Sequence, residues 1–578
     1  MTTAPAGGNC FGPRLEAGGA LFQLWAPHAR SVGVSVGDQP PLPMSRDAEG
    51  FWSVQTSAGA GALYRFEVDG QRAPDPASRF QPEGVGGPSQ VIDSAAYVWN
   101  HPDWRGRPWA ETVLYEAHAG LLGGFEGVRS RLPDLAALGV TALELMPIGE
   151  FAGARNWGYD GVMPFAPESA YGRPDDLRAL VDEAHGLGLM VFLDVVYNHF
   201  GPDGNWLPRY APEFFDTASK TPWGAAIDFH KTAVRRFFTE NALYWLGEFR
   251  IDGLRLDAVH MILDQSWLVE MAAEVRSAFA GRHVHLVLEN ENNDAGLLRA
   301  GFDAQWNDDF HNVLHVLLIG ETHAYYRDFA DHPAERLARC LAEGFIYQGE
   351  PSPNHDGRPR GQPSADLPPT AFVSFLQNHD QVGNRAFGER LTRLADPRAL
   401  KAAMGLLLLC PQIPMLFMGE EVGAREPFLF FTDFHGELAA AVRNGRRGEF
   451  AGAPGFADPK QRDAIPDPNA VSTYEASRWT DRAPDAADWR AFVADRLAVR
   501  RADLVSRLKG ASSLGARAVG EKAVVARWRL ADGASLTIAA NLAAAPVAAE
   551  LPDAAPLIGD YRPGAPLDGF TTLAWISS

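Results

Sequence analysis

Between Val113 and Met418 the chain repeats one rhythm: a short apolar run, then a stretch with helical spacing. The runs are Val113–Tyr115, Ala142–Leu145, Leu189–Asp194, Gly253–Asp257, Val284–Glu289, Phe302–Trp306, Ala371–Leu376 and Met415–Met418. Helical periodicity fills the intervals, as at Val128–Leu138, 175–186, Val234–Trp245 and Pro397–Leu409. The last of these opens with Asp396 placed to cap and Pro397 in the first turn. Strands alternating with helices favour a parallel sheet with covered faces. Eight such units predict an α/β fold, a (β/α)8 TIM barrel, with a doubly wound sheet as the alternative.

The flanks read differently. Residues 19–98 carry short alternating strands such as Leu21–Trp25, Val32–Val36 and Tyr64–Val68, separated by Gly, Pro and Asp turns. That pattern predicts an N-terminal β-sandwich over residues 1–98, of a carbohydrate-binding kind. After a helix at Asp485–Arg500 the β pattern returns at Ala523–Arg529 and Ser535–Asn541. A barrel domain over 99–508 and a small C-terminal β domain over 509–578 complete the division. Gly349–Pro369, rich in Pro, Gly and Asp and without periodicity, is expected to be a long surface loop.

Composition excludes several functions. With 72 acidic and 52 basic residues the net charge is −20, unsuited to polyanion binding, so nucleic acid is not an expected partner. Three scattered cysteines fit neither a disulfide framework nor a Cys-based zinc site, and suggest a reducing cytoplasm. Met1–Pro5 shows no signal-peptide pattern, and the apolar stretch Ala402–Gly419 is broken by Pro411 and Pro414, so no membrane partner is expected. There is no Gly-Lys dipeptide for a phosphate-binding loop. Asp194 and Asn198 alone are too few ligands for Ca²⁺, so no metal or other cofactor is expected.

In a barrel the chemistry gathers at the C-terminal ends of the strands. Four strand ends here are densely polar: Asp194–His199, Asp252–His260, Glu289-Asn290 and Gln377–Asp380. Arg255 and Asp257, two apart on a strand, face the same side, which is costly unless they are paired or used. Taken singly, Arg255–Asp257 could be a structural ion pair and Asp380 a helix cap. Together Asp257, Glu289 and Asp380 give three carboxylates around one mouth. Paired carboxylates suit acid–base and nucleophilic work on an acetal. Arg255 would keep Asp257 ionised as nucleophile, while apolar surroundings and acidic neighbours would raise the proton affinity of Glu289, the general acid and then base. Asp380 is left to stabilise positive charge, with His199 and His379 donating to sugar hydroxyls.

Asp-Val-Val-Tyr-Asn-His (194–199), Gly-Leu-Arg-Leu-Asp-Ala-Val (253–259), Glu289 and Asn-His-Asp (378–380) occur in the order of the signature blocks of the α-amylase family of glycoside hydrolases. The chain resembles that family over roughly residues 110–510. The resemblance implies the same three roles and a retaining double displacement, with nucleophile and acid about 5–5.5 Å apart. Asp75–Pro82, Asn156–Gly161, Thr221–Ala226 and Phe428–Asp433 resemble one branch of the family more closely. That branch cleaves the α-1,4 bond next to the terminal trehalose of maltooligosyltrehalose. The resemblance further implies that Tyr159 stacks on the sugar beside the scissile bond. It also implies that Asp160, His199, Arg255 and His379 line that position and that His260 lies on the leaving-group side. A partner enzyme that forms the trehalose linkage is implied in the same way. The chain departs from the pattern after the first strand, at Tyr115–Gly124, and after the acid, at Asn290–Asn293, both on the mouth.

Two rivals stay open: a transglycosylase such as a glucan branching enzyme, and a non-catalytic glucan-binding protein. Trp157, Trp206 and Trp223 sit in loops after strands and could stack on sugar or simply pack. His230, His311 and His315 read as structural.

Overall fold

A computed structural model describes residues 10–222 and 224–577. Trp223, one of the candidate stacking residues, lies outside them, as do residues 1–9.

Eight parallel strands close on themselves: β1 Leu114–Ala117, β2 Ala142–Leu145, β3 Met190–Val195, β4 Gly253–Leu256, β5 His285–Leu288, β6 Ala304–Trp306, β7 Phe372–Ser374 and β8 Ile413–Phe417. Each strand pairs with its neighbour in sequence, and β8 returns to β1 with Leu114 opposite Met415. Every residue of these strands is buried, as expected of a parallel sheet covered by helices, which explains why the runs are mostly apolar. The helix Pro397–Leu409 begins where the sequence places it, and Asp396 accepts from the Arg398 N–H at 2.9 Å. No helix among the described residues is long and apolar enough to cross a membrane.

Ahead of the barrel, two antiparallel sheets run through Gly19–Trp25 and Phe51–Thr56, and through Val32–Val36 and Leu63–Val68. Phe22 and Tyr64, one from each, meet with ring centroids 4.7 Å apart. Arg79 docks this unit on the barrel, its guanidinium over the rings of Phe165 and Tyr244 at 4.7 and 4.5 Å. At the other end a four-stranded antiparallel sheet, which includes Ala523–Arg529 and Ser535–Asn541, packs on the helix Pro333–Glu343. Trp528 is fully buried there and donates to the Leu341 carbonyl at 3.2 Å.

The segment 349–369 lies at the surface as expected, most of its residues exposed, but it is fastened to the barrel rather than structureless. It holds a short hairpin, Glu350–Pro351 with Pro359–Arg360, and buries Ser352, Arg360 and Ser364. Arg360 fastens it, pairing with Asp309 at 3.2 Å and donating to the Glu291 carbonyl at 2.9 Å. Both partners are distant in sequence, so periodicity carried no sign of them.

Candidate active site

The C-terminal strand ends bring Asp194, Arg255, Asp257 and Glu289 together. Arg255 is the hub. Fully buried, its Nη1 donates to Asp194 at 2.8 and 2.9 Å and to Asp257 Oδ1 at 2.7 Å, while Nη2 lies 3.7 Å from Glu289 Oε2. Its guanidinium rests over the Trp306 ring at 4.1 Å, which fixes the height of the charge in the barrel. The Tyr159 hydroxyl donates to Asp194 Oδ2 at 2.5 Å. Burial pushes the Asp194 carboxyl up to about 6 against the pull of Arg255.

Just past β4 the backbone turns sharply. Ala258 adopts the left-handed region, φ 42° and ψ 47°, uncommon for a residue with a Cβ. The turn aims the Ala258 N–H at Glu289 Oε2, 2.6 Å away. Burial pushes the Glu289 carboxyl well above the usual range, and Asp257, Asp308 and Asp380 add to the effect while Arg255 opposes it. A carboxyl so placed can carry a proton at neutral pH.

Asp380 is carried on the short helix His379–Gly383. Its cap is Asn378, not Asp380: Asn378 Oδ1 accepts from the N–H groups of Asp380 and Gln381 at 2.9 and 3.2 Å, and Gln381 Oε1 accepts from Asn378 N at 2.9 Å. The Asp380 carboxyl is thereby released into the mouth, where about half of it is exposed. His379 is buried with its Nδ1 on Glu116 Oε1 at 2.5 Å and its N–H on Glu116 Oε2 at 3.0 Å. Burial alone would lower its affinity for protons, but Asp380 and Glu116 outweigh it and push His379 up to about 9.

Tyr159 stacks on His379 with centroids 5.1 Å apart. His199 Nε2 lies 2.8 Å from the Tyr159 carbonyl and its Nδ1 2.9 Å from Asn198 Oδ1. Asp160, directly after Tyr159, accepts from Asn156 Nδ2 at 2.7 Å and is mostly buried. His260 stands at the rim, 3.8 Å from Glu291. Trp157 is packing, its Nε1 donating to the Leu429 carbonyl at 3.0 Å and its ring against Phe428. Trp206 carries the Arg209 guanidinium at 4.3 Å. His311 and His315 are buried on Leu376 and Glu321, and His230 is exposed beside Asp264.

Four groups that sequence reasoning passed over belong to this site. Glu116 anchors His379, and Trp306 supports Arg255. Glu144, directly across from Glu116 in the β1–β2 register, is buried with neither oxygen hydrogen-bonded to a described residue. Burial, then Glu116 and Asp194, push it well above the usual carboxylate range. Asp308, just after β6, accepts from Gln381 Nε2 at 3.3 Å and is pushed up to about 7 by burial and by Asp380. Glu116 and Glu144 carried a signal, an acid inside an apolar strand.

Comparison with known proteins agrees with this architecture. Residues 88–223 match the alpha amylase catalytic domain family, and residues 511–569 match a domain family of unknown function, DUF3459. A crystal structure from Salmonella typhimurium, assigned to the alpha amylases, superposes with a TM-score of 0.93 at 42% identity, covering 98% of this chain and 99% of that one. Fold and match together define a glycoside hydrolase of the α-amylase class. Malto-oligosyltrehalose trehalohydrolase of Deinococcus radiodurans is 41% identical over 84% of this chain and 82% of its own length. Its counterpart from Saccharolobus solfataricus is 42% identical over 76% and 80%. The chain belongs to the malto-oligosyltrehalose trehalohydrolase family.

Proposed function

We propose that the enzyme hydrolyses the α-1,4-glucosidic bond next to the terminal trehalose of maltooligosyltrehalose by a retaining double displacement, and that Asp257, Glu289 and Asp380 perform it. Glu289 gives its proton to the glycosidic oxygen as Asp257 attacks the anomeric carbon, and trehalose leaves. A covalent glycosyl-enzyme remains on Asp257. Glu289, now a carboxylate, takes a proton from water, whose oxygen attacks the same carbon and releases the shortened maltooligosaccharide. Asp380 stabilises the oxocarbenium charge in both transition states. Tyr159, stacked on His379, offers the sugar ring a face, and Asp160, His199, Arg255 and His379 frame it. His260 lies toward the leaving group.

The observation that carries the reading is Arg255 between the two carboxylates: hydrogen-bonded to Asp257, yet 3.7 Å from Glu289, whose carboxyl burial pushes well above the usual range. One cation thus leaves an attacking group and a proton donor side by side. Family membership supports the substrate, and a partner enzyme that forms the terminal trehalose linkage, acting with it in the cytoplasm, is part of the same proposal. Product analysis on maltooligosyltrehalose and on plain maltopentaose tests it. Free trehalose from the first with little change in the second is expected. Equal cleavage of both, or transfer products without trehalose, would overturn the specificity.

A further inference from the structure

A second cleft lies at the opposite end of the barrel, among the segments leading into β1, β2 and β3 and the turn Arg500–Leu504. It encloses about 180 Å3 and is lined in part by Arg107, Glu111, Thr141, Gly188, Arg500 and Arg501. Three guanidiniums face one carboxylate. Arg107 pairs with Glu111 at 2.8 Å and donates to the Gly188 carbonyl at 3.1 Å. Arg501 adds a solvent-facing guanidinium.

Arg500 is the unusual member. It is 1% exposed, and burial pushes its guanidinium down to about 10. Its Nη atoms donate to the carbonyls of Leu408, Cys410 and Gln412 at 2.6–3.2 Å. Its Nε, like that of Arg107, is buried with no hydrogen-bond partner among the described residues. A buried cation costs a great deal unless it is paired. The backbone here is also a π-helix, a rare conformation that recurs at functional sites.

We propose that this cleft binds a small dianionic oxyanion of the phosphate class, either inorganic phosphate or the phosphate group of a sugar phosphate. Two positive charges are left once Glu111 is counted, which matches a dianion. Arg107 supplies charge-assisted N–H donors from the wall, Arg501 closes the solvent side, and Arg500, its Nη atoms held by backbone carbonyls, adds buried positive charge behind the wall. Thr141 hydrogen-bonds to Val113 N at 2.8 Å, and Arg500 holds the carbonyls just ahead of β8. An anion here therefore ties together the entry points of the strands and makes no contact with substrate.

The test is thermal unfolding and calorimetric titration of the full chain with sodium phosphate and with glucose 1-phosphate, at ionic strength held constant with sodium chloride. A saturable rise of a few degrees in the unfolding midpoint is expected, with affinity about tenfold or more weaker in Arg501→Ala and in Arg107→Ala. Tighter binding of glucose 1-phosphate assigns the site to a phosphorylated sugar, and equal binding assigns it to free phosphate. No saturable effect from either anion, or equal effects in wild type and both variants, would overturn the proposal. Arg501 is exposed, so its variant is expected to fold.

Discussion

At the scale of single residues, the arrangement around Arg255 makes the two acids separable by experiment. Asp257→Asn is expected to lower kcat by roughly four orders of magnitude while oligosaccharide binding, followed by calorimetry, remains. Glu289→Gln is expected to cost about 10²–10⁴ on the natural substrate and far less on an activated aryl glycoside, whose leaving group needs no proton. Steady-state rates on both substrates check it, and equal losses would remove Glu289 from the acid role. Glu116 gives a prediction about stability. His379 is raised to about 9, above its ordinary value of about 6.5, so its contribution is fully present below pH ~6.5. That contribution, on the order of 3 kcal/mol, is lost as pH rises through about 9. In Glu116→Gln only Asp380 is left to oppose the burial penalty, so His379 is raised less and this dependence shrinks. Urea unfolding of both proteins at pH 6 and pH 10 measures the difference.

At the scale of elements, the strands and their closure into a barrel were legible, and the side-chain partners that meet across it were not. A barrel strand is covered on both faces, so it reads as a mostly apolar run, and all eight lay where such runs occur. The polar residues ending β3, β4, β5 and β7 were legible for the same reason, as exceptions to apolarity. Glu116 had no readable role, because its partner His379 is 263 positions away and meets it only through the closure of β8 on β1. The hairpin in 349–369 was hidden likewise: Arg360 is one charge among many until Asp309 stands opposite it. Packing inside the barrel also explains a glycine. A Cβ on Gly253 would lie 2.1 Å from the Phe192 ring of the adjacent strand. Gly253→Ala is expected to cost about 1–3 kcal/mol, read from the urea midpoint, as β4 and β3 are forced apart.

At the scale of the whole molecule, the flanking units share one hydrophobic core with the barrel but no continuous sheet, and side-chain hydrogen bonds cross the joins. Trp528, Lys522 and Thr572 reach from the C-terminal sheet to the carbonyls of Leu341, Leu317 and Ala402. Trp528→Ala removes the largest of these and is expected to cost about 3–5 kcal/mol. Limited proteolysis checks it: cleavage should quicken near residue 510, with the catalytic rate of the intact protein little changed. Rapid loss of activity would mean that this sheet supports the mouth directly.

The return of the last barrel strand to the first also sets a schedule for the nascent chain. Glu116 leaves the ribosome early, yet the enclosure that holds its carboxylate against His379 is complete only when Phe417 has emerged to pair with Glu116 itself. Until then Glu116 faces a half-built interior. Catalytic competence in this protein is therefore a late event of synthesis, and the appearance of activity times the moment at which the ring shuts.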